Sequence, residues 1–179
     1  VDFKATALLN TIKINHGVRL NMTLHQYAVE IKWQGNIGTG TSSYQAYRRD
    51  FEVRHETKPS IAGSADPAYL GDPTRWNPEE LLIAALSSCH KLWYLHLCAD
   101  HNICVLDYTD QAMGEMQDQD LLKRGHMTQV TLRPRVIIQD SEQLALAESL
   151  HQLAHHECMI ANSVNFPVHC QAHCEALTK

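Results

Sequence analysis

Hydrophobic and polar residues recur with different periods along this chain, and each change of period marks an element. From Gln26 to Gly35 the apolar residues Tyr27, Val29, Ile31 and Trp33 fall at every second position, the period of a strand. Asn36 to Thr41 (NIGTGT) is a turn. It has neither the lysine of a P-loop nor the glycine spacing of a dinucleotide site. A second strand is predicted over Tyr44 to His55, with Tyr47, Phe51 and Val53 on one face and Arg48, Asp50, Glu52 and Arg54 on the other. That register puts Arg49 on the apolar face. Lys58 to Gly63 suits a third short strand. Ser64 to Arg75, with two Asp-Pro steps and a glycine, is a loop placed to form one wall of a pocket.

At Trp76 the period changes to that of a helix running to Asp100 (WNPEELLIAALSSCHKLWYLHLCAD). Asn77 is a favourable N-cap, Pro78 suits the first helical position, and Glu80 completes a capping box. The helix is apolar nearly all round, which assigns it to an interior. Ser87, Ser88, Cys89, His90 and Lys91 interrupt it, and that interruption is where chemistry is expected.

Ile103 to Met116 and His126 to Gln139 read as two more strands joined by a charged turn, with Pro134 marking a bulge or an edge. Asp140 to His156 is a second helix, with Asp140 as N-cap, Gln143 completing a capping box, and a stripe of Leu144, Ala147, Leu150 and Ala154. Cys158 lies at a break before another short helical turn. Val168 to Ala176 alternates as a last strand. The sum is an α+β protein with antiparallel pairing. Residues 1–25 form an arm of unassigned structure, and 26–179 form one domain. The central helix is too apolar for one thin sheet to cover, which points to a dimer in which two such helices pack together.

Composition narrows the functional classes. The chain has 179 residues, 44% of them hydrophobic and 20% charged, with a net charge of −5. This is an ordinary globular composition without the basic stripe of a nucleic-acid binder. His90, Lys91 and His96 within the apolar run favour a core helix over a membrane span. No secretory signal pattern opens the sequence. Six cysteines without a CxxC pair read as mostly reduced thiols in a cytoplasmic protein.

Cys89 is the first candidate for chemistry, because polar neighbours surround it. A free thiol is mostly protonated at neutral pH, and an adjacent arginine that lowered its pKa by two units would favour the thiolate by about 3 kcal/mol. Cys158, at the helix break, is the second candidate, set against an ordinary buried cysteine. Cys98, Cys104, Cys170 and Cys174 read as core residues. Arg49 is either half of a buried salt bridge or a cation aimed at an anionic site. Zinc is the main rival: His90, His96, His155, His156, Glu157 and Cys158 are ligand types, though no pair has a recognised zinc spacing. His169 and His173 fall on the polar face of the last strand. No GxSxG elbow exists.

Asn77-Pro78-Glu79-Glu80-Leu81-Leu82 followed by Ala84-Ala85-Leu86-Ser87-Ser88-Cys89 resembles the helix signature of the OsmC/Ohr family, the osmotically inducible and organic hydroperoxide resistance proteins. Cys158-Met159-Ile160-Ala161-Asn162-Ser163-Val164 resembles that family's second cysteine segment, and Tyr27 to Arg49 resembles the start of an OsmC-like subgroup. The resemblance implies an antiparallel sheet wrapped around a long central helix in an intertwined homodimer. It further implies a cytoplasmic thiol peroxidase without metal or flavin, reducing organic hydroperoxides and recycled by a small or lipoyl-type dithiol. On that pattern Cys89 is the peroxidatic thiolate and Cys158 the resolving thiol. Arg49 stabilises the thiolate, with Arg48 as fallback if the register is off by one, and Glu79 holds the arginine. Ten residues separate Glu79 from Cys89, about 15 Å along a helix, so a site built across a dimer fits better than a local one. His90 and Lys91 are more polar than an apolar peroxide pocket calls for. The alternative is a non-catalytic relative that binds a small apolar ligand or zinc in the same cleft.

Overall fold

The computed structural model describes residues 24–118, 121 and 124–177. The arm at 1–25 therefore lies almost wholly outside the described residues, as does part of the turn after Asp118. Among the described residues the order is β1 (Glu30–Trp33), β2 (Phe51–His55), β3 (Lys58–Gly63), α1 (Pro78–Asp100), β4 (Val105–Asp110), β5 (Met113–Gln117), β6 (His126–Leu132), β7 (Pro134–Ile138), α2 (Leu144–Glu157), β8 (Val168–Cys170) and β9 (His173–Ala176). Short 3₁₀ turns occupy Pro67–Tyr69, Ser141–Gln143 and Ala161–Ser163.

The strands form three sheets of three, ordered β1-β2-β3, β4-β7-β9 and β5-β6-β8. The first is antiparallel, with Ile31 opposite Val53 and Trp33 opposite Phe51. In the other two the last strand pairs in parallel, Val130 with Val168 and Val136 with Cys174, where uniform antiparallel pairing was expected. The two long strands predicted after the helix, and the final one, are each divided in two. Arg133 lies outside the strands, so β6 joins one sheet and β7 another. Pro134 opens β7, a position where its missing N–H costs no ladder bond. Asp110 fastens the crossing: its Oδ1 accepts from the Arg133 backbone N–H at 2.7 Å, and its Oδ2 accepts from Ser87 Oγ at 2.5 Å.

α1 begins as the sequence dictates. Asn77 Oδ1 accepts from the Glu80 N–H at 2.8 Å, Glu80 Oε2 accepts from the Asn77 N–H at 3.1 Å, and Pro78 occupies the first turn. It ends in a Schellman motif. Asn102 takes a left-handed φ of 57°, and the Ile103 N–H reaches back to the Cys98 carbonyl at 2.8 Å. α2 lacks the expected capping box. The Asp140 carboxylate caps a 3₁₀ turn through the Glu142 N–H at 3.0 Å, while Gln143 Nε2 donates to the Asn102 carbonyl at 3.4 Å.

Two cores form along α1. Its C-terminal half packs Tyr94, Leu97 and Cys98 against Leu150, Leu153 and Ala154 of α2 and against Val136 and Ile138 of β7. Its N-terminal half packs Leu86, with Leu82 and Ile83, against Val130, Leu132 and the segment around Ile160 to Phe166. Only Leu86, His90, Tyr94, Leu97 and Cys98 of the helix are fully buried. α1 is long and apolar enough to cross a membrane by length and composition alone. Its buried stripe is nevertheless spent on α2 and the sheets.

Candidate active site

Cys89 lies near the middle of α1, half-buried, at the junction of the two cores. Cys158 is the C-terminal cap of α2, where the backbone turns extended (φ −66°, ψ 104°) and breaks the helix. The fold brings the two together: the Cys89 and Cys158 thiols interact directly, and both are free thiols. Burial pushes the Cys158 thiol up to about 11, and its hydrogen bond with Cys89 adds to the rise. The Ala161 N–H points at Cys158 Sγ from 3.4 Å and opposes that rise. Cys158 thus sits between two helical pieces: it caps the C-terminus of α2, where the dipole disfavours an anion, and it precedes the short Ala161–Ser163 turn expected after the break, whose leading backbone N–H groups point at its sulfur.

Arg49 and Glu79 form a second group. The predicted second strand does not extend back to Tyr44. It starts at Phe51, and residues 44–50 are irregular apart from the Asn36–Tyr47 bridge. Alternation therefore fails there. Asp50, placed on the polar face by period, is buried, accepting from Ser64 Oγ at 3.2 Å with Arg75 Nε 4.0 Å away. Arg49 is half-buried and Arg48 exposed, so Arg49 is the more inward of the pair. Its guanidinium donates to the carbonyls of Tyr47 and Tyr44, both at 2.6 Å, and lies 4.2 and 4.3 Å from the Tyr44 and Tyr47 ring centroids.

Arg49 shares a cavity of about 340 Å³ with Glu79, Trp33, Phe51, Ser64 and Tyr69. The Ser64–Arg75 loop does form one wall of it, closed at its base by Gly71. A Cβ there would fall 1.6 Å from the Ala65 carbonyl oxygen. Glu79 Oε2 is buried in this region and makes no hydrogen bond among the described residues. Cys89 does not line the cavity. Within one chain the four predicted site residues therefore fall into two pairs, Cys89 with Cys158 and Arg49 with Glu79, separated by most of the first half of α1.

Sequence reasoning missed what lies behind Cys89. His90 is fully buried, and its Nε2 lies 3.0 Å from His151 Nδ1 of α2 and 3.6 Å from Cys170 Sγ of β8. His151 stacks on Tyr94 with ring centroids 3.8 Å apart, and its Nε2 lies 3.7 Å from Cys174 Sγ. Burial lowers His90 to about 4, helped by His155, and lowers His151 to about 3, helped by His90. Burial raises Cys170 to about 12 and Cys98 to about 11. Cys98 and Cys174 are core residues as expected, but Cys104, just ahead of β4, is exposed. The one available signal was His90 itself, a ligand type within the polar interruption of α1.

A family model for OsmC-like proteins matches residues 71–173, more than half of the chain, and the chain belongs to that family. An OsmC-like protein of unknown function from Vibrio cholerae O1 biovar eltor is 30% identical, with a TM-score of 0.75 over 84% of this chain and 100% of that one. An organic hydroperoxide resistance protein from Legionella pneumophila shares the fold at 16% identity and TM-score 0.58, over 85% of this chain and 99% of that one. One from Bacillus subtilis does so at 14% and 0.53, over 83% of this chain and 98% of that one. Comparison with functionally curated proteins gives no match.

Proposed function

We propose that this protein is a thiol peroxidase that reduces organic hydroperoxides through Cys89 and Cys158. The observation that carries the reading is the direct interaction of those two thiols, drawn from different helices. The Cys89 thiolate attacks the distal oxygen of ROOH. The O–O bond breaks, the alkoxide takes a proton and leaves as ROH, and Cys89 becomes a sulfenic acid. Cys158 then attacks the Cys89 sulfur, water departs, and a disulfide forms. An external dithiol restores both thiols. The half-exposed Cys89 suits the attacking role and the buried, high-pKa Cys158 the resolving one.

A thiolate at Cys89 needs a cation, and Arg49 is the candidate, delivered across a homodimer. Two features support that assembly. The outward face of β1 and the residues before it expose Tyr27 (90%), Val29 (70%), Ile31 (59%) and Trp33 (43%), and α1 exposes Leu92 (63%). Apolar area of this extent marks an interface. In addition, the unpartnered Glu79 oxygen stands in the Arg49 cavity, ready to receive a guanidinium that leaves the tyrosine carbonyls. The Legionella and Bacillus proteins that share the fold are organic hydroperoxide resistance proteins by name, which agrees with a hydroperoxide substrate. The test is dithiol-dependent consumption of cumene hydroperoxide by the purified protein. Turnover abolished by Cys89→Ser supports the reading; no turnover by the wild type with any dithiol, or full turnover by Cys89→Ser, overturns it.

A further inference from the structure

We infer that His90, His151 and Cys170 form a three-coordinate nitrogen–sulfur site for a soft metal ion, Cu(I), directly behind the Cys89–Cys158 pair. The three ligand atoms come from α1, α2 and β8 and lie within 4.8 Å of one another. A metal with bonds of about 2.0 Å to nitrogen and 2.3 Å to sulfur spaces its ligands about 3.3–3.5 Å (N to N) and 3.5–3.7 Å (N to S) between tetrahedral and trigonal geometry. The observed edges are 3.0 Å between the imidazole nitrogens and 3.6 Å from His90 Nε2 to Cys170 Sγ. The sulfur edge is already at metal-bound length, and the nitrogen edge must open by about half an ångström. The stack of Tyr94 on His151 and the complete burial of His90 fix both rings on rigid elements.

Coordination number selects the ion. Cys174 faces the other nitrogen of His151, so it does not converge on the same point. The Asp110 carboxylate acts electrostatically on both His90 and Cys170, but its oxygens are engaged by Ser87 and the Arg133 backbone N–H. Zn(II) in a closed site wants four ligands, whereas Cu(I) is satisfied by three with a thiolate among them. Both imidazoles are neutral at physiological pH, which leaves a lone pair for a metal. Binding replaces the proton of the Cys170 thiol, so one proton is released per ion bound, with no change of oxidation state.

The Cys89–Cys158 dithiol competes for Cu(I), so the test uses the wild type alongside a Cys89→Ser/Cys158→Ser protein, titrated anaerobically with Cu(I) against a chromogenic chelator. The expected result is one Cu(I) per chain retained in the double-serine protein, with X-ray absorption reporting two nitrogens and one sulfur. Adding Cys170→Ala or, separately, His151→Gln should weaken binding by more than about tenfold while circular dichroism stays native. The inference is overturned if the double-serine protein takes up no Cu(I), if a folded Cys170→Ala or His151→Gln variant binds as well as its parent, if two sulfurs are seen, or if Zn(II) is held in preference.

Discussion

Two imidazoles buried side by side make folding sensitive to acid in a calculable way. His90 and His151 have native pKa values of about 4 and about 3, depressed by burial below the ordinary histidine value. The unfolded chain therefore binds protons that the folded one refuses between roughly pH 6.5 and pH 4. The stabilisation is fully present above pH 6.5 and is lost as pH falls through that window. Each group contributes a slope of about 1.4 kcal/mol per pH unit once the unfolded histidine is mostly protonated. From pH 7 to pH 5 that amounts to about 2 kcal/mol for one imidazole and about 4 kcal/mol for the pair. Other groups titrate over the same range, so the informative quantity is a difference. Gln at position 151 keeps a partner for His90 but removes one titrating site. Urea unfolding at fixed protein concentration, repeated every half unit between pH 5 and pH 7, should give a stability change over that range smaller by about 2 kcal/mol in His151→Gln than in the wild type, an average slope shallower by about 1 kcal/mol per unit. Parallel pH profiles would show that His151 is not held neutral in the folded protein, and the buried-pair description would fail.

Other expectations concern separate parts of the molecule. Asn77→Ala removes one half of the capping box at the start of α1 and should destabilise the protein by about 1 kcal/mol in chemical denaturation, with turnover unchanged at temperatures where the protein is folded. Cys158→Ser should leave a Cys89 sulfenic acid after one peroxide, visible by dimedone labelling, and should abolish disulfide formation. Arg49→Lys keeps the charge but loses the planar fork that could meet a carboxylate and a thiolate together, and kcat/KM for cumene hydroperoxide should fall by about tenfold or more. An unchanged kcat/KM would remove Arg49 from the site.

Local signals proved sufficient where the structure is local. The Asn77–Glu80 box, Pro78 and the end of α1 at Asp100 were all legible, because capping depends on residues three apart. Strand alternation located the first sheet but overran its ends, since the Tyr44–Asp50 stretch keeps the look of a strand while folding back to give Arg49 its carbonyl acceptors. The divisions at Arg133 and between β8 and β9 were hidden because hydrophobic alternation runs straight through them. What creates the first of them is the Asp110 carboxylate 23 residues earlier, a tertiary contact without a sequence signature. Parallel pairing of the last strands is likewise a matter of topology. Among candidate site residues, Cys89 and Cys158 stood out by their motifs and do meet. The His90–His151–Cys170 group has no local spacing to read, because its members lie 61 and 80 residues apart along the chain from His90.

The two-thiol chemistry is tested most directly by intact mass and cysteine mapping of the reduced protein after one equivalent of cumene hydroperoxide. The expected product has lost two hydrogens and carries a Cys89–Cys158 disulfide, with Cys98, Cys104, Cys170 and Cys174 still alkylatable after denaturation. Oxidation confined to those four other thiols, with Cys89 and Cys158 both recovered in reduced form, would contradict it.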